Sequence, residues 1–190
     1  LIRISKLISH AGICSRKEAE NLIENSRVKI NDRVFKKFII ALDEIKSIKD
    51  NNKILKKKLT KVWILNKPEG YVCYNKEQFS QKSIFRLIPR NLPRVVTVGR
   101  LDINSDELII LTNNPSLSAF LELPENQINR IYRVKVFGNI NSELKKNSHN
   151  HLFIKGVLYK NFKVKILTNK HNNNLLEICL SEGKNREIRN

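Results

Sequence analysis

An α+β fold in two modules is predicted: a small N-terminal α/β module, then a larger domain with a mainly antiparallel sheet and flanking helices. Three observations predict it. Apolar residues recur at helical spacing at the start of the chain. From about residue 61 they alternate with charged residues at period two, the pattern of half-buried antiparallel strands. Between these regions, residues 49–60 (KDNNKILKKKLT) are polar and basic and read as a linker.

Ile4, Leu7, Ile8 and Ala11 share one helical face, and Gly12 is placed to end that helix. Ser15-Arg16-Lys17-Glu18 has the form of a capping box, with Ala19, Leu22 and Ile23 as the apolar stripe behind it. Val28 and Ile30 alternate with Arg27 and Lys29 as in a short strand, and Asn31-Asp32 suits a turn because both residues tolerate positive φ. In the second module VWIL (62–65), Val95–Val98 and Leu108–Leu111 are short apolar runs. Asn66-Lys67-Pro68-Glu69-Gly70 reads as a turn. A helix is expected around Ser116–Glu122. Tyr132/Val134/Val136, Phe162/Val164/Ile166 and Leu176/Ile178/Leu180 then give three alternating strands.

Composition narrows the function. The 190 residues carry 36 Lys+Arg against 18 Asp+Glu, a net charge of +18. Such a surface attracts polyanions, nucleic acid first and an anionic membrane second. No long basic amphipathic helix supports the membrane option. No apolar run reaches the roughly 18 residues of a membrane span, and LIRISKLISHAG carries charges inside its apolar stretch, unlike a signal peptide. Cys14, Cys73 and Cys179 are scattered and form no metal-ligand spacing with the histidines, so no metal is expected and a reducing compartment is. Neither a Walker loop nor a GxGxxG occurs, so no nucleotide cofactor is expected.

Residues 1–48, with ISKLISHAGICSRKEAENLIENSRVKINDRV at their centre, resemble an S4 domain, a compact RNA-binding module. That resemblance implies RNA-backbone contacts from Arg3, Lys6, Ser15, Arg16, Lys17 and Arg27. Val98-Gly99-Arg100-Leu101-Asp102 followed by INSDELIILTNN resembles the central motif of the RsuA/RluB-type ribosomal RNA pseudouridine synthases. Asn66–Gly70, Arg130-Ile131-Tyr132-Arg133-Val134 and Glu182-Gly183-Lys184-Asn185-Arg186-Glu187-Ile188-Arg189 resemble three further motifs of that family, in the family's order. The resemblance makes residues 61–190 the catalytic domain. It implies Asp102, Tyr132 and Arg189 as catalytic residues and Arg100, Ile188 and Lys67 as substrate-binding ones, with Lys67 supporting the sheet as its alternative.

The chemistry fits these residue types. Isomerising uridine breaks the N1–C1′ bond and forms a C5–C1′ bond with no net gain or loss of atoms. It needs a carboxylate at the reacting centre, side chains to hold a base out of its stack, and a cation to keep the carboxylate ionised. No cofactor or metal is called for. Ile84–Pro89, Leu92–Val96, Leu121–Pro124 and Gly156–Tyr159 resemble the 23S rRNA branch more than the 16S branch, with a stem-loop as the expected target. A cytoplasmic monomer is expected. Glu107 stands where the family has a glycine and is expected to strain the turn or impair activity. The family continues past its last motif, so the catalytic domain is read as C-terminally incomplete. The alternative function is a catalytically inactive remnant that only binds RNA.

Overall fold

The structure is a computed structural model describing residues 1–190 apart from 57, 75–79, 141–150, 171, 185, 186 and 190. The chain divides into two compact units, Leu1–Ala119 and Phe120–Asn190.

The first unit opens with β1 (Ile2–Arg3), α1 (Ile4–His10), α2 (Arg16–Glu24), β2 (Val28–Ile30), β3 (Arg33–Val34), β4 (Ile39–Ile40), β5 (Ile48–Asp50) and β6 (Lys53–Ile54). α1 stops where Gly12 takes φ +74°, a conformation that costs a glycine little. α2 begins on the expected capping box: the Glu18 N–H donates to Ser15 Oγ at 3.2 Å, and the Ser15 N–H donates to Glu18 Oε2 at 2.8 Å. Asn31 and Asp32 turn β2 into β3 with φ of +49° and +68°. Ile4, Ile8, Ala19, Ile23, Val28, Ile30, Ile40 and Ile48 close into one buried core. Each large side chain there contributes about 1.5–3 kcal/mol by leaving water.

The expected linker is corrected at its start. Residues 48–54 form β5 and β6, completing a four-stranded sheet in the order β3-β2-β5-β6, and Leu55 packs on the same core. Polar composition misled because both strands are short and half their side chains face water. Asn51 and Asn52, with φ of +45° and +66°, turn β5 into β6.

The rest of the first unit comprises β7 (Val62–Lys67), β8 (Tyr71–Val72), β9 (Lys82–Ser83), β10 (Val96–Thr97), β11 (Glu107–Thr112) and the start of α3 (Pro115–Glu122). β11 lies between β10 and β7, antiparallel to both. β8 and β9 are parallel to one another. Asn66 and Lys67, expected in a turn, end β7 instead, and the turn is confined to Pro68–Gly70. Pairing puts Trp63, Leu65 and Lys67 on the inner face with Ile109 and Leu111. A second core of Cys73, Ile84, Val95, Ile109 and Leu111 forms there. The expected helix at 116–122 begins one residue earlier with Pro115, whose missing N–H is no loss at that position. Asn114 Oδ1 caps it by accepting the Ser116 N–H at 3.0 Å.

The second unit carries β12 (Arg130–Phe137), β13 (Leu152–Ile154), β14 (Val157–Tyr159), β15 (Lys163–Lys170) and β16 (Asn173–Leu180). β16 is the centre of a three-stranded antiparallel sheet, β12-β16-β15, with an irregularity between Ile166 and Thr168. Arg130, Tyr132, Val134 and Val136 face one side, opposite Leu180, Ile178, Leu176 and Asn174. β13 and β14 form a separate hairpin through Lys155 and Gly156, both at positive φ. Among the described residues no helix is long and apolar enough to cross a membrane, and no group of His, Cys, Asp and Glu could hold a metal ion.

Candidate active site

In the first unit the expected carboxylate, Asp102, sits half-buried in the loop between β10 and β11. The loop leaves the sheet through Gly99 at φ +77°, where a side chain would be strained. Its backbone is then held on both sides of Asp102. Leu101 donates its N–H to Cys73 Sγ at 3.4 Å, and the Cys73 thiol donates to the Leu101 carbonyl at 3.7 Å. Beyond Asp102, the Gly70 N–H donates to the Ile103 carbonyl at 2.8 Å. Ser105 closes the turn by donating its N–H to the Asp102 carbonyl at 3.1 Å.

Lys67 adds two further bonds to this loop. It was expected either at the substrate or supporting the sheet, and its side chain is 0% exposed. Its ammonium donates to the carbonyls of Ser105 at 2.7 Å, Pro68 at 3.1 Å and Ile103 at 3.3 Å. A buried cation is tolerated only when hydrogen-bonded or paired, and three carbonyl dipoles satisfy the three donors of an ammonium. The period-two pattern of β7 explains its position, because Lys67 follows Trp63 and Leu65 on the inner face. Asn66, on the opposite face, donates to Asp106 Oδ1 at 3.1 Å.

Arg100 is exposed, as a substrate-contacting residue would be. Its guanidinium donates to Tyr74 Oη at 2.8 Å and lies 5.9 Å from the Tyr74 ring centroid. Glu107 does not strain the turn: it is the first residue of β11, opposite Lys67, outside the positive-φ region. The loop's demand for a left-handed conformation is met at Gly99 instead.

In the second unit Tyr132 lies half-buried on β12, paired with Ile178. Because Arg130 pairs with Leu180 at the end of β16, the turn that follows passes over Arg130: a Cβ on Gly183 would stand 3.7 Å from that guanidinium. Ile188 is half-buried and Arg189 exposed in the turn beyond. Asn185 and Arg186 of the same motif lie outside the described residues.

Two carboxyls organise this turn. Glu182 accepts the Lys160 N–H at 2.7 Å and pairs with Lys184 Nζ at 3.3 Å. Burial opposes its ionisation, but these donors outweigh it and hold its pKa below the ordinary glutamate value. Glu187 accepts the Lys184 N–H at 2.9 Å, yet burial and the neighbouring Glu182 push its pKa up. Lys184 also donates to the Leu158 carbonyl and lies 5.5 Å from the Tyr159 ring centroid.

Of the residues expected to touch RNA, Arg16 and Lys17 are exposed in the first turn of α2, and Arg3 is exposed on β1. Lys6 is half-buried. Ser15 is committed to the cap, with its hydroxyl also donating to Glu18 Oε2 at 2.8 Å. Arg27 is exposed and pairs with Asp50 at 3.2 Å. Tyr74 escaped the sequence reading, and Cys73 and Lys184 were named there without a role at the site. Nothing in the spacing of Cys73 or Tyr74 pairs them with Leu101 or Arg100, and only the lysine of the last motif pointed to Lys184.

The chain matches the S4 domain family over residues 2–37 and the RNA pseudouridylate synthase family over residues 61–190. It is 38% identical to an uncharacterized RNA pseudouridine synthase of Rickettsia typhi over 190 residues, all of this chain and 78% of that protein. It is 34% identical to the ribosomal large subunit pseudouridine synthase B of Buchnera aphidicola from Baizongia pistaciae, with 98% of this chain and 78% of that protein covered. A solved pseudouridylate synthase superposes with a TM-score of 0.63 at 23% identity, covering 100% of this chain and 81% of its own, which shows the shared fold. The chain therefore belongs to the RNA pseudouridine synthases, in the branch that carries an S4 domain ahead of the catalytic domain.

Proposed function

We propose that this enzyme isomerises a uridine in ribosomal RNA, in the 23S rather than the 16S molecule, with Asp102 as the catalytic carboxylate. The observation that carries the reading is the restrained loop around Asp102, fastened through Leu101, Ile103 and Ser105. Fixing a reacting group in this way supplies part of the barrier reduction before substrate arrives. The large-subunit target rests on the name of the Buchnera relative and on the segments at 84–96.

In this reading the uridine is drawn out of its stack and Asp102 meets it at the sugar or base. The N1–C1′ bond breaks, the base turns, C5 bonds to C1′, and the C5 hydrogen leaves as a proton while N1 gains one. Atoms and charge balance, so the chain's own side chains suffice. Tyr132 stacks on the base and Ile188 contacts it. The family resemblance makes Arg189 the basic partner of the catalytic carboxylate, and Arg100 holds an adjacent phosphate. Arg3, Lys6, Arg16, Lys17 and Arg27 hold the RNA backbone, and Ser15 positions Arg16 and Lys17 through its cap. Lys67 acts on Asp102 through the loop rather than on RNA. The protein works as a monomer in the cytoplasm.

Release of tritium from C5-labelled uridine in ribosomal RNA tests the proposal. Asp102→Asn is expected to lower turnover by at least the roughly 10²–10⁴-fold attributed to a positioned proton-transfer group, with RNA affinity changed less than about threefold. A variant keeping more than a tenth of wild-type turnover would remove Asp102 from the mechanism.

A further inference from the structure

The loop between β9 and β10 forms a shallow groove of about 340 Å³ outside the loop that carries Asp102. Phe85, Ile88, Leu92 and Pro93 give it an apolar floor, and Arg90 and Arg94 flank it. Its backbone is braced: Ile88 donates its N–H to the Phe85 carbonyl at 3.4 Å, and Leu92 to the Pro89 carbonyl at 3.0 Å. Pro89 and Pro93 fix φ at two further points. Neither arginine has an acidic partner among the described residues. Two unpaired guanidinium groups beside an apolar floor suit a ligand with an anionic edge and a flat, weakly polar face.

The groove adjoins the S4 module. The charge of Arg94 is felt at the Cys14 thiol, one residue before the α2 cap. Lys58 Nζ stands 3.4 Å from where a Cβ on Gly12 would be. His10 at the end of α1 hydrogen-bonds Ser116 Oγ at 2.9 Å, tying that end of α1 to α3. Arg94 and Lys58 thus both lie near the α1–α2 connection, which leads into Arg16 and Lys17 at the start of α2, where the helix N-terminus adds its own partial charge.

We propose that the Arg90–Arg94 groove is a second RNA-contact site that takes one unpaired nucleotide of the substrate. Its base lies on the Phe85–Leu92–Pro93 floor, and the two flanking phosphates meet the arginines. The size favours one nucleotide over a duplex, since the volume is at the low end of the roughly 300–1,000 Å³ range of small-ligand clefts. Guanidinium groups grip phosphate oxygens in forked pairs, and unpaired bases stack on aromatic side chains and arginine planes. The inference rests on the reading of the chain as an RNA-acting enzyme and adds where, beyond the S4 module and the Asp102 loop, the substrate is gripped.

The test is salt-dependent binding of a uridine-containing stem-loop from large-subunit ribosomal RNA to the wild type and to Arg90→Gln/Arg94→Gln. Each single-strand phosphate contact adds about 0.7 to the slope of log K against log salt, so losing two lowers it by about 1.4, roughly a tenfold loss of affinity near 0.15 M salt. Lys163→Gln/Lys165→Gln removes the same net charge from the exposed side of β15 and is the comparison. An equal loss in that variant would reduce the effect to net charge and overturn the site, as would an unchanged slope in the arginine variant. Melting curves of both variants check folding. Phe85 helps form the second core and is left intact for that reason. A polyglutamate peptide that competes as well as the stem-loop, and only when the arginines are present, would reassign the groove to an acidic protein. Tritium release is followed on the same samples: none from the wild type would sink the synthase reading while leaving the binding comparison decisive.

Discussion

Lys67→Met separates holding the Asp102 loop from touching RNA. Methionine nearly matches the lysine stem in length and is content in the apolar surroundings of Trp63 and Leu65. What disappears is the ammonium and its three donors. The Ile103 carbonyl keeps the Gly70 N–H as a partner, so it is not orphaned. The Ser105 carbonyl loses the shortest of the three bonds in a residue only 4% exposed. Losing a hydrogen bond donated by a charged group costs about 1.5–3 kcal/mol. The desolvation cost of the buried ammonium is relieved in the variant, which offsets part of that loss. A net destabilisation of about 1–2 kcal/mol follows, or about 2–8 °C for a protein of this size.

The catalytic effect is larger than the stability effect. With Ile103 and Ser105 less restrained, Asp102 samples positions displaced from the reacting centre, and misplacement by about 1 Å can cost on the order of 10²-fold. Single-turnover tritium release with RNA in excess, run well below the melting temperature, is the assay. Turnover is expected to fall about 10²-fold, with stem-loop affinity within about threefold of wild type. Equal losses in binding and turnover would place Lys67 on the RNA after all, and turnover within threefold of wild type would show that the loop keeps its shape without the ammonium.

Other variants probe other parts of the chain. Ser15→Ala removes the α2 cap and is expected to cost about 0.5–2 kcal/mol, read as a lower melting temperature that Ser15→Asp restores. Arg16→Gln/Lys17→Gln is expected to lower the salt slope by about 1.4 without moving the melting temperature; an unchanged slope would remove the start of α2 from the RNA surface. Glu187→Gln tests the acidic turn. Because the folded-state pKa of Glu187 is raised by burial and by Glu182, its favourable contribution is complete below the ordinary glutamate value of about 4.3 and is lost as pH rises through the raised value. The glutamine variant should therefore gain stability over wild type as pH rises from about 4 towards neutrality. Glu182 has the opposite sign, contributing above the ordinary value and losing that contribution as pH falls through its lowered pKa. A melting temperature difference between Glu187→Gln and wild type that does not change with pH would show that Glu187 does not titrate as described.

What could be read from the sequence followed from local rules. α1, α2 and the Asn31-Asp32 turn were legible because periodicity, the capping box and positive-φ residues act within a few positions. The long strands of the second unit were legible because eight-residue alternation leaves little room for another reading. The two-residue strands β3, β4, β6 and β8 were not, because no period can be seen in two residues and their pairing is decided at a distance. β5 and β6 were absorbed into a linker for the same reason: Lys49, Asp50 and Lys53 are polar because they face water, not because the backbone is unpaired.

The same distinction runs through the candidate site. Asp102 and Arg100 lie within one contiguous motif, so a sequence can point to them. Their supports do not. Cys73 meets Leu101 across 28 positions, and Lys67 meets Ser105 across 38. The sequence reading gave Cys73 no role at the site and left Lys67 between contacting substrate and supporting the sheet, because residue type alone does not choose between these. Register does. With Leu65 opposite Ile109 and Lys67 opposite Glu107, Lys67 must point where Leu65 points, into the second core. A lysine there has to find acceptors, and the returning chain from Ile103 to Ser105 supplies them. The loop that carries Asp102 and the strand that carries Lys67 thus determine each other's geometry. Substitutions at either should be strongly non-additive, because a displaced loop leaves Lys67 no acceptors and a missing ammonium leaves the loop no anchor.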